Sequence, residues 1–273
     1  MQDLALGSIE AIGGAAKKLG AGIGRLIEKV NPDVWRELGY VTMSSYSLLL
    51  PRREQVVDRG ADGLVPLVLV HGLGGNRGLW SPLRLFLRMN GHRRVYAFGY
   101  EDGTIEDHAE DLKGFVDSIL RTTGEARVDI VAHSLGGIIS RYAIQRLGLS
   151  GTVRTLVTMA TPHQGTYAAQ YANTTLTRSL RPASDVIRNL NAEDLTDYPM
   201  RFFSIFSDRD VYVVPAEGMT HPGAENVFLP DVSHSQYLVS PQVFRVVASC
   251  LTGRPVSEQE GPHPMGAAPA AKH

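Results

Sequence analysis

A single cysteine, Cys250, stands among 273 residues, so no disulfide can form within the chain. That scarcity fits a reducing compartment. Long apolar runs are missing too; none approaches the ~20 residues that a membrane-spanning helix needs. Charge of one sign is also lacking: 27 basic and 28 acidic side chains leave a net −1, with histidine neutral. Nothing in that balance favours nucleic acid as a partner. The opening "MQDLALGSIE" has no basic lead and its apolar run is broken by Glu10, so no secretory signal is expected, and the expected location is cytoplasmic or at the periphery of a membrane. No internal repeat is visible. What remains is 43% hydrophobic and 20% charged, a chain long enough for a sizeable core.

Hydrophobic periodicity then sets out the elements. Strands are expected in "LVPLVLVHG" (64–72), "HRRVYAFGY" (92–100), "ARVDIVAH" (126–133), "TVRTLVTMA" (152–160), "MRFFSIFS" (200–207) and "NVFLPD" (226–231). Helices are expected at 79–91, 104–124, behind Ser134, and at 240–251. The alternation of strand and helix predicts an α/β fold, a mostly parallel central sheet with helices on both faces. The chain divides into residues 1–62 (an amphipathic helix and lead-in), a main domain over 63–252, and a Pro/Ala/Gly-rich tail over 253–273, expected to be disordered.

The most informative stretch is "VAHSLGG", residues 131–137. Ser134 sits where an apolar strand turns directly into an apolar-periodic helix. A turn that tight strains the backbone and pushes one side chain outward, and small neighbours are needed so that strand and helix can approach. This is the pattern of a nucleophile elbow, with Ala132 in place of the commoner first glycine. Such a serine needs a base. Nine histidines are available, at 71, 92, 108, 133, 163, 221, 234, 263 and 273. Chemistry in a parallel sheet gathers beyond the carboxyl ends of the strands. That favours His234, in the loop before the closing helix, with His221 as its competitor; His71, His133 and His163 read as structural. An acid is then needed between serine and histidine, and "FFSIFSDRDVYVVP" supplies both Asp208 and Asp210.

Four motifs together, "LVLVHGLGG" (67–75), "VAHSLGG" (131–137), "TPHQGT" (161–166) and the pair "SDRDVYVVP" (207–215) with "VSHSQYL" (232–238), resemble the α/β-hydrolases of the bacterial lipase and esterase type. The resemblance covers residues 64–252, and the A-x-S-x-G elbow is similar to a variant in some small bacterial lipases. It implies ester hydrolysis by Ser134, Asp210 and His234, and no cofactor or metal. Asp210 is preferred over Asp208 because the family's acid is followed closely by a hydrophobic pair and proline, here Val213, Val214 and Pro215. The backbone N–H groups of Leu73 and Leu135 are the expected oxyanion donors. "HGLGG" does not extend to G-x-G-x-x-G, so a dinucleotide site is not expected.

Acyl transfer to another alcohol is a chemical variant of this reading. A non-catalytic scaffold of the same fold is the alternative from another class. Trp80, just after the glycine loop, is a candidate for lining an acyl pocket, with a core position as its rival. Residues 166–198 form a long connection whose Tyr167, Tyr171, Leu176, Leu180, Val186, Ile187 and Leu190 could cover such a pocket or pack as a helix pair. The apolar seam of residues 4–30 (Ile9, Ile12, Ala16, Leu19, Ile23, Leu26 and Val30) offers a face for its own domain, a membrane surface or a second copy. A small-molecule or lipid ester is the expected substrate.

Overall fold

The computed structural model describes residues 63–253. The amphipathic seam of residues 4–30, the lead-in to residue 62 and nearly all of the tail lie outside the described residues. Within them, six strands form one sheet in the order β2-β1-β3-β4-β5-β6. They are β1 (Leu67–Val70), β2 (Val95–Phe98), β3 (Val128–His133), β4 (Val153–Met159), β5 (Arg201–Phe206) and β6 (Glu225–Phe228). Every adjacent pair is parallel.

A parallel sheet has both faces covered, so its strands read as continuous apolar runs. "LVLV" of β1 is buried throughout. Its residues split between two cores by strand alternation: Leu67 and Leu69 face one, Val68 and Val70 the other. The first core is closed by α1 (Ser81–Met89) and by α6 (Pro241–Thr252), through Leu83, Leu87, Val243 and Val247. The second is closed by α2 (Ile105–Thr123) and α3 (Leu135–Arg146), through Ile105, Leu112, Ile119, Ile138 and Ile139.

The caps explain where α2 starts and stops. The Thr104 hydroxyl accepts from the Asp107 N–H while the Asp107 carboxylate accepts from the Thr104 N–H, a reciprocal capping box. Gly124, at φ 73°, ends the helix in the left-handed region.

The connection 166–198 is not one continuous cover. It contains a short turn at Tyr167–Gln170, α4 (Thr175–Ser179) and α5 (Asp185–Asn191). Leu180, Ile187 and Leu190 are buried in the second core, so these residues are structural packing and not pocket wall. Tyr167 and Tyr171 are exposed. Apolar residues at helical spacing pack on the nearest core, which is why the sequence pattern alone could not assign them. No helix among the described residues is long and apolar enough to cross a membrane.

One topological feature positions the site. After β1 the chain crosses to β2 on one side; after β3 it crosses to β4 on the other. The loops leaving β1 and β3 therefore diverge, opening a crevice at the carboxyl end of the sheet.

Candidate active site

Ser134 stands between β3 and α3 with φ 54° and ψ −124°. A non-glycine residue at positive φ stores strain of order 1–3 kcal/mol and persists only where its surroundings over-determine it. Here they do. The Ser134 N–H donates to the Met159 carbonyl at 2.9 Å. Its own carbonyl accepts from the Gly137 N–H and the Thr161 hydroxyl, each at 3.0 Å. The small neighbours are obligatory. A Cβ at Gly136 would lie 2.4 Å from the Val70 carbonyl oxygen, and one at Gly72 would lie 2.8 Å from the Ser134 Cβ. Ala132, by contrast, is accommodated in β3 with its side chain fully buried.

The loop after β1 thus presses directly on the elbow. Leu73, 42% exposed, rides on that loop, and Leu135 is buried at the first position of α3. Neither of their N–H groups meets a protein acceptor among the described residues. A helix N-terminus leaves such donors free to face negative charge.

The loops after β5 and β6 supply an acid and a histidine. His234 Nδ1 lies 2.7 Å from Asp210 Oδ2. A carboxylate only accepts, so Nδ1–H donates; in the neutral imidazole this tautomer leaves the lone pair on Nε2. The second oxygen of Asp210 accepts the N–H groups of Tyr212 and Val213, at 2.8 and 3.0 Å. Asp208 takes no part. It is exposed, and its carboxylate accepts from the Ser207 hydroxyl and the Asp231 N–H. The acid loop is braced on both sides. The Thr166 hydroxyl donates to the Tyr212 carbonyl and accepts from the Val214 N–H. The Ser207 hydroxyl accepts from the Arg209 and Val232 N–H groups, tying the acid loop to the histidine loop.

The other histidines have separate duties. His71 donates Nδ1–H to the Gly72 carbonyl at 2.9 Å and stacks on Tyr100; burial pushes its pKa down to about 4. His133 donates Nε2–H to the His234 carbonyl at 3.0 Å, and burial holds it well below the usual range. His163 bridges the Thr158 hydroxyl and Arg141, again far below the usual range through burial. His221 packs on His163 and Phe202, away from Asp210, and burial pushes it down to about 3. Among the described residues, no group of histidines, cysteines and carboxylates is arranged to hold a metal ion.

Trp80 takes a core position. It is fully buried in the core between the sheet and α1, so its placement gives no support to a role in lining an acyl pocket. It sits in the last turn of a 3-10 segment (Arg77–Trp80) leading into α1, and the ring turns inward to cover the sheet. Sequence reasoning also missed two residues. Tyr212 lies beside His234, ring centroids 5.0 Å apart, and its place two residues beyond the acid was the available signal. Arg141 is fully buried inside α3; its helical spacing within "GGIISRYAIQ" was the only hint.

The class 2 lipase family model matches residues 64–242. Triacylglycerol lipases of Pseudarthrobacter phenanthrenivorans and Burkholderia plantarii are each 30% identical over 121 residues, 41% of this chain. That match spans 37% and 33% of those relatives, so the chain matches only about a third of their length. Among solved structures, a mature Bacillus licheniformis lipase superposes with a TM-score of 0.62 at 17% identity, over 72% of this chain and 96% of its own. Aspergillus fumigatus lipase B superposes with a TM-score of 0.59 at 16% identity, over 77% of this chain and 56% of its own. These structures share the α/β-hydrolase fold described above, and the family match covers the glycine loop, the elbow, the acid loop and the histidine loop together: the chain belongs to the class 2 lipase family.

Proposed function

We propose that the protein hydrolyses carboxylic esters through Ser134, His234 and Asp210. The observation that carries this reading is the 2.7 Å bond between His234 and Asp210, made by two separate loops at the sheet end where Ser134 is held in its strained turn.

In this mechanism the Ser134 oxygen attacks the ester carbonyl carbon while His234 Nε2 takes its proton. Asp210 keeps the imidazole in the tautomer with Nδ1–H directed at its own carboxylate and stabilises the imidazolium that forms. The backbone N–H groups of Leu73 and Leu135 receive the oxyanion of the tetrahedral intermediate. The alcohol leaves with the proton from His234, and an acyl group stays on Ser134. Water then attacks the acyl-enzyme with His234 again as base, and the acid is released. Each acceptor of Asp210 is occupied, by His234 on one oxygen and two backbone donors on the other, which supports a fixed orienting role.

The test is covalent labelling. A fluorophosphonate should label the wild type stoichiometrically at Ser134 and leave Ser134→Ala unlabelled. That variant should lose on the order of 10⁴-fold or more in kcat on p-nitrophenyl esters. An unlabelled wild type would leave the scaffold reading instead.

A further inference from the structure

The proposed base and nucleophile are 100 residues apart in sequence, yet one side chain joins their backbones. His133 immediately precedes Ser134. Its Nε2 lies 3.0 Å from the backbone carbonyl oxygen of His234, and a carbonyl only accepts, so the histidine donates. The two rings also pack against each other, centroids 4.6 Å apart. His133 is fully buried, and it closes β3, with its backbone paired to Met159 of β4.

We propose that His133 is a positioning residue that fixes His234 relative to Ser134 by anchoring the peptide group of the base. This rests on the reading of Ser134 and His234 given above. Asp210 holds the His234 ring at Nδ1; His133 holds the backbone at the root of its side chain. With both ends held, Nε2 has a defined direction. With the carbonyl released, the 234–235 peptide can rotate, and the side chain turns about a looser pivot while still bonded to Asp210. A displacement of about an ångström at reacting atoms lowers rate by about 10²-fold without touching substrate binding.

Nothing in this role requires His133 to titrate. It requires one donor at the Nε2 position, in a ring-sized space. Glutamine can present an amide N–H at nearly the same reach; phenylalanine and methionine fill the space with no donor. A merely structural role would make these variants respond to volume, not to the donor.

The experiment compares wild type, His133→Gln, His133→Phe and His133→Met in the full chain. Rates are normalised to the sites titrated at end point by a fluorophosphonate, so that a partly folded preparation does not distort them. The expected result is a fall of about 10–100-fold in kcat for the phenylalanine and methionine variants, with KM within about threefold. The rate constant for phosphonylation should fall in parallel, and His133→Gln should recover most of the loss. A phenylalanine or methionine variant within about twofold of wild type in kcat would overturn the proposal. So would a glutamine variant no better than both apolar ones. A variant that does not fold is set aside, and the remaining apolar one is read against glutamine; glutamine that alone fails to fold where an apolar variant folds also overturns it. Failure of the underlying reading shows elsewhere: His234→Ala would then keep activity whatever His133 does.

Discussion

Arg141 donates to the Leu190 carbonyl at 2.9 Å from a position with no solvent exposure at all. Its other partners, Gln145 Oε1, His163 Nδ1 and Asn191 Oδ1, are neutral as well. Burial pushes the guanidinium pKa down to about 9. Asn191 in turn donates to the His163 carbonyl, and Gln145 to the Leu190 carbonyl. This network fastens the end of α5 to α3 and to the loop after β4. Removing the guanidinium strands several buried acceptors and opens a cavity, together on the order of 2–4 kcal/mol. Arg141→Ala should therefore lower the urea midpoint strongly. Trypsin should cut it faster than wild type at Arg178 or Arg188. An unchanged cleavage rate would show that α5 is held by apolar packing alone.

The two aspartates of the acid loop should separate cleanly by kinetics. Asp210→Asn keeps the shape but favours the wrong tautomer of His234, and a loss of about 10³–10⁴ in kcat is expected. Asp208→Asn should stay within a few-fold of wild type, because Asp208 faces Ser207 and Asp231. The reverse ranking in steady-state assays would move the orienting role to Asp208.

Substrate length gives a third outcome. Tyr167, Tyr171, Val211 and Val214 are exposed on the loops after β4 and β5, while the latter part of the 166–198 connection is locked to α3. That arrangement suits a partly open apolar trough with little lid to move. Each methylene buried is worth about 0.8 kcal/mol. With p-nitrophenyl esters, kcat/KM should rise from acetyl to a medium chain of roughly four to ten carbons, as long as methylenes are still being buried, and then level. Interfacial activation should be weak. A sharp rate increase above the substrate's solubility limit would mean that the connection opens as a true lid.

Acid should destabilise the fold through its buried histidines. His71, at about 4, and His221, at about 3, sit below their unfolded value near 6.5, and His133 and His163 are shifted the same way. Below pH 6.5 the unfolded chain binds these protons and the folded chain resists them. Stability is thus full above 6.5 and is lost as pH falls toward the folded values. Each histidine adds about 1.4 kcal/mol per pH unit to the slope in the middle of that window. Urea midpoints between pH 6.5 and 5 should fall accordingly, and a stable His221→Asn variant should show a shallower slope. An identical slope would remove His221 from the set.

The strands were readable to within a few residues because burial on both faces makes them continuous apolar runs. The α2 helix was readable because its seam from Ile105 to Ile119 obeys a single period. Ser134 was legible because a strand, a serine and two glycines in immediate succession leave the backbone few options. Trp80 and Arg141 were not. A tryptophan beside a loop and an arginine on a helix have the same local pattern whether they face solvent, ligand or core. Only the tertiary packing of α1 on the sheet, and of α5 on α3, decides between those environments. Asp210 was preferred to Asp208 on family pattern alone, since two residues of strand spacing point alike; in the structure the chain has left β5 by then, and the turn separates them.

The order of the loops along the chain has a consequence for how the protein matures. Ser134 closes its turn from contacts within residues 70–161, but His234 follows β6, the last strand and the edge of the sheet. β6 itself pairs with the nearby β5, but the histidine loop reaches back 101 residues to His133, and contacts of such separation are slow to form. On the proposed mechanism, Ser134 would be shaped during synthesis while still chemically idle, and would acquire His234 as its base only when the final strand docks. Reactivity of Ser134 toward a fluorophosphonate would then act as a clock for completion of the sheet. A helix signal in circular dichroism would recover earlier than the label, and the interval between them would time the arrival of β6.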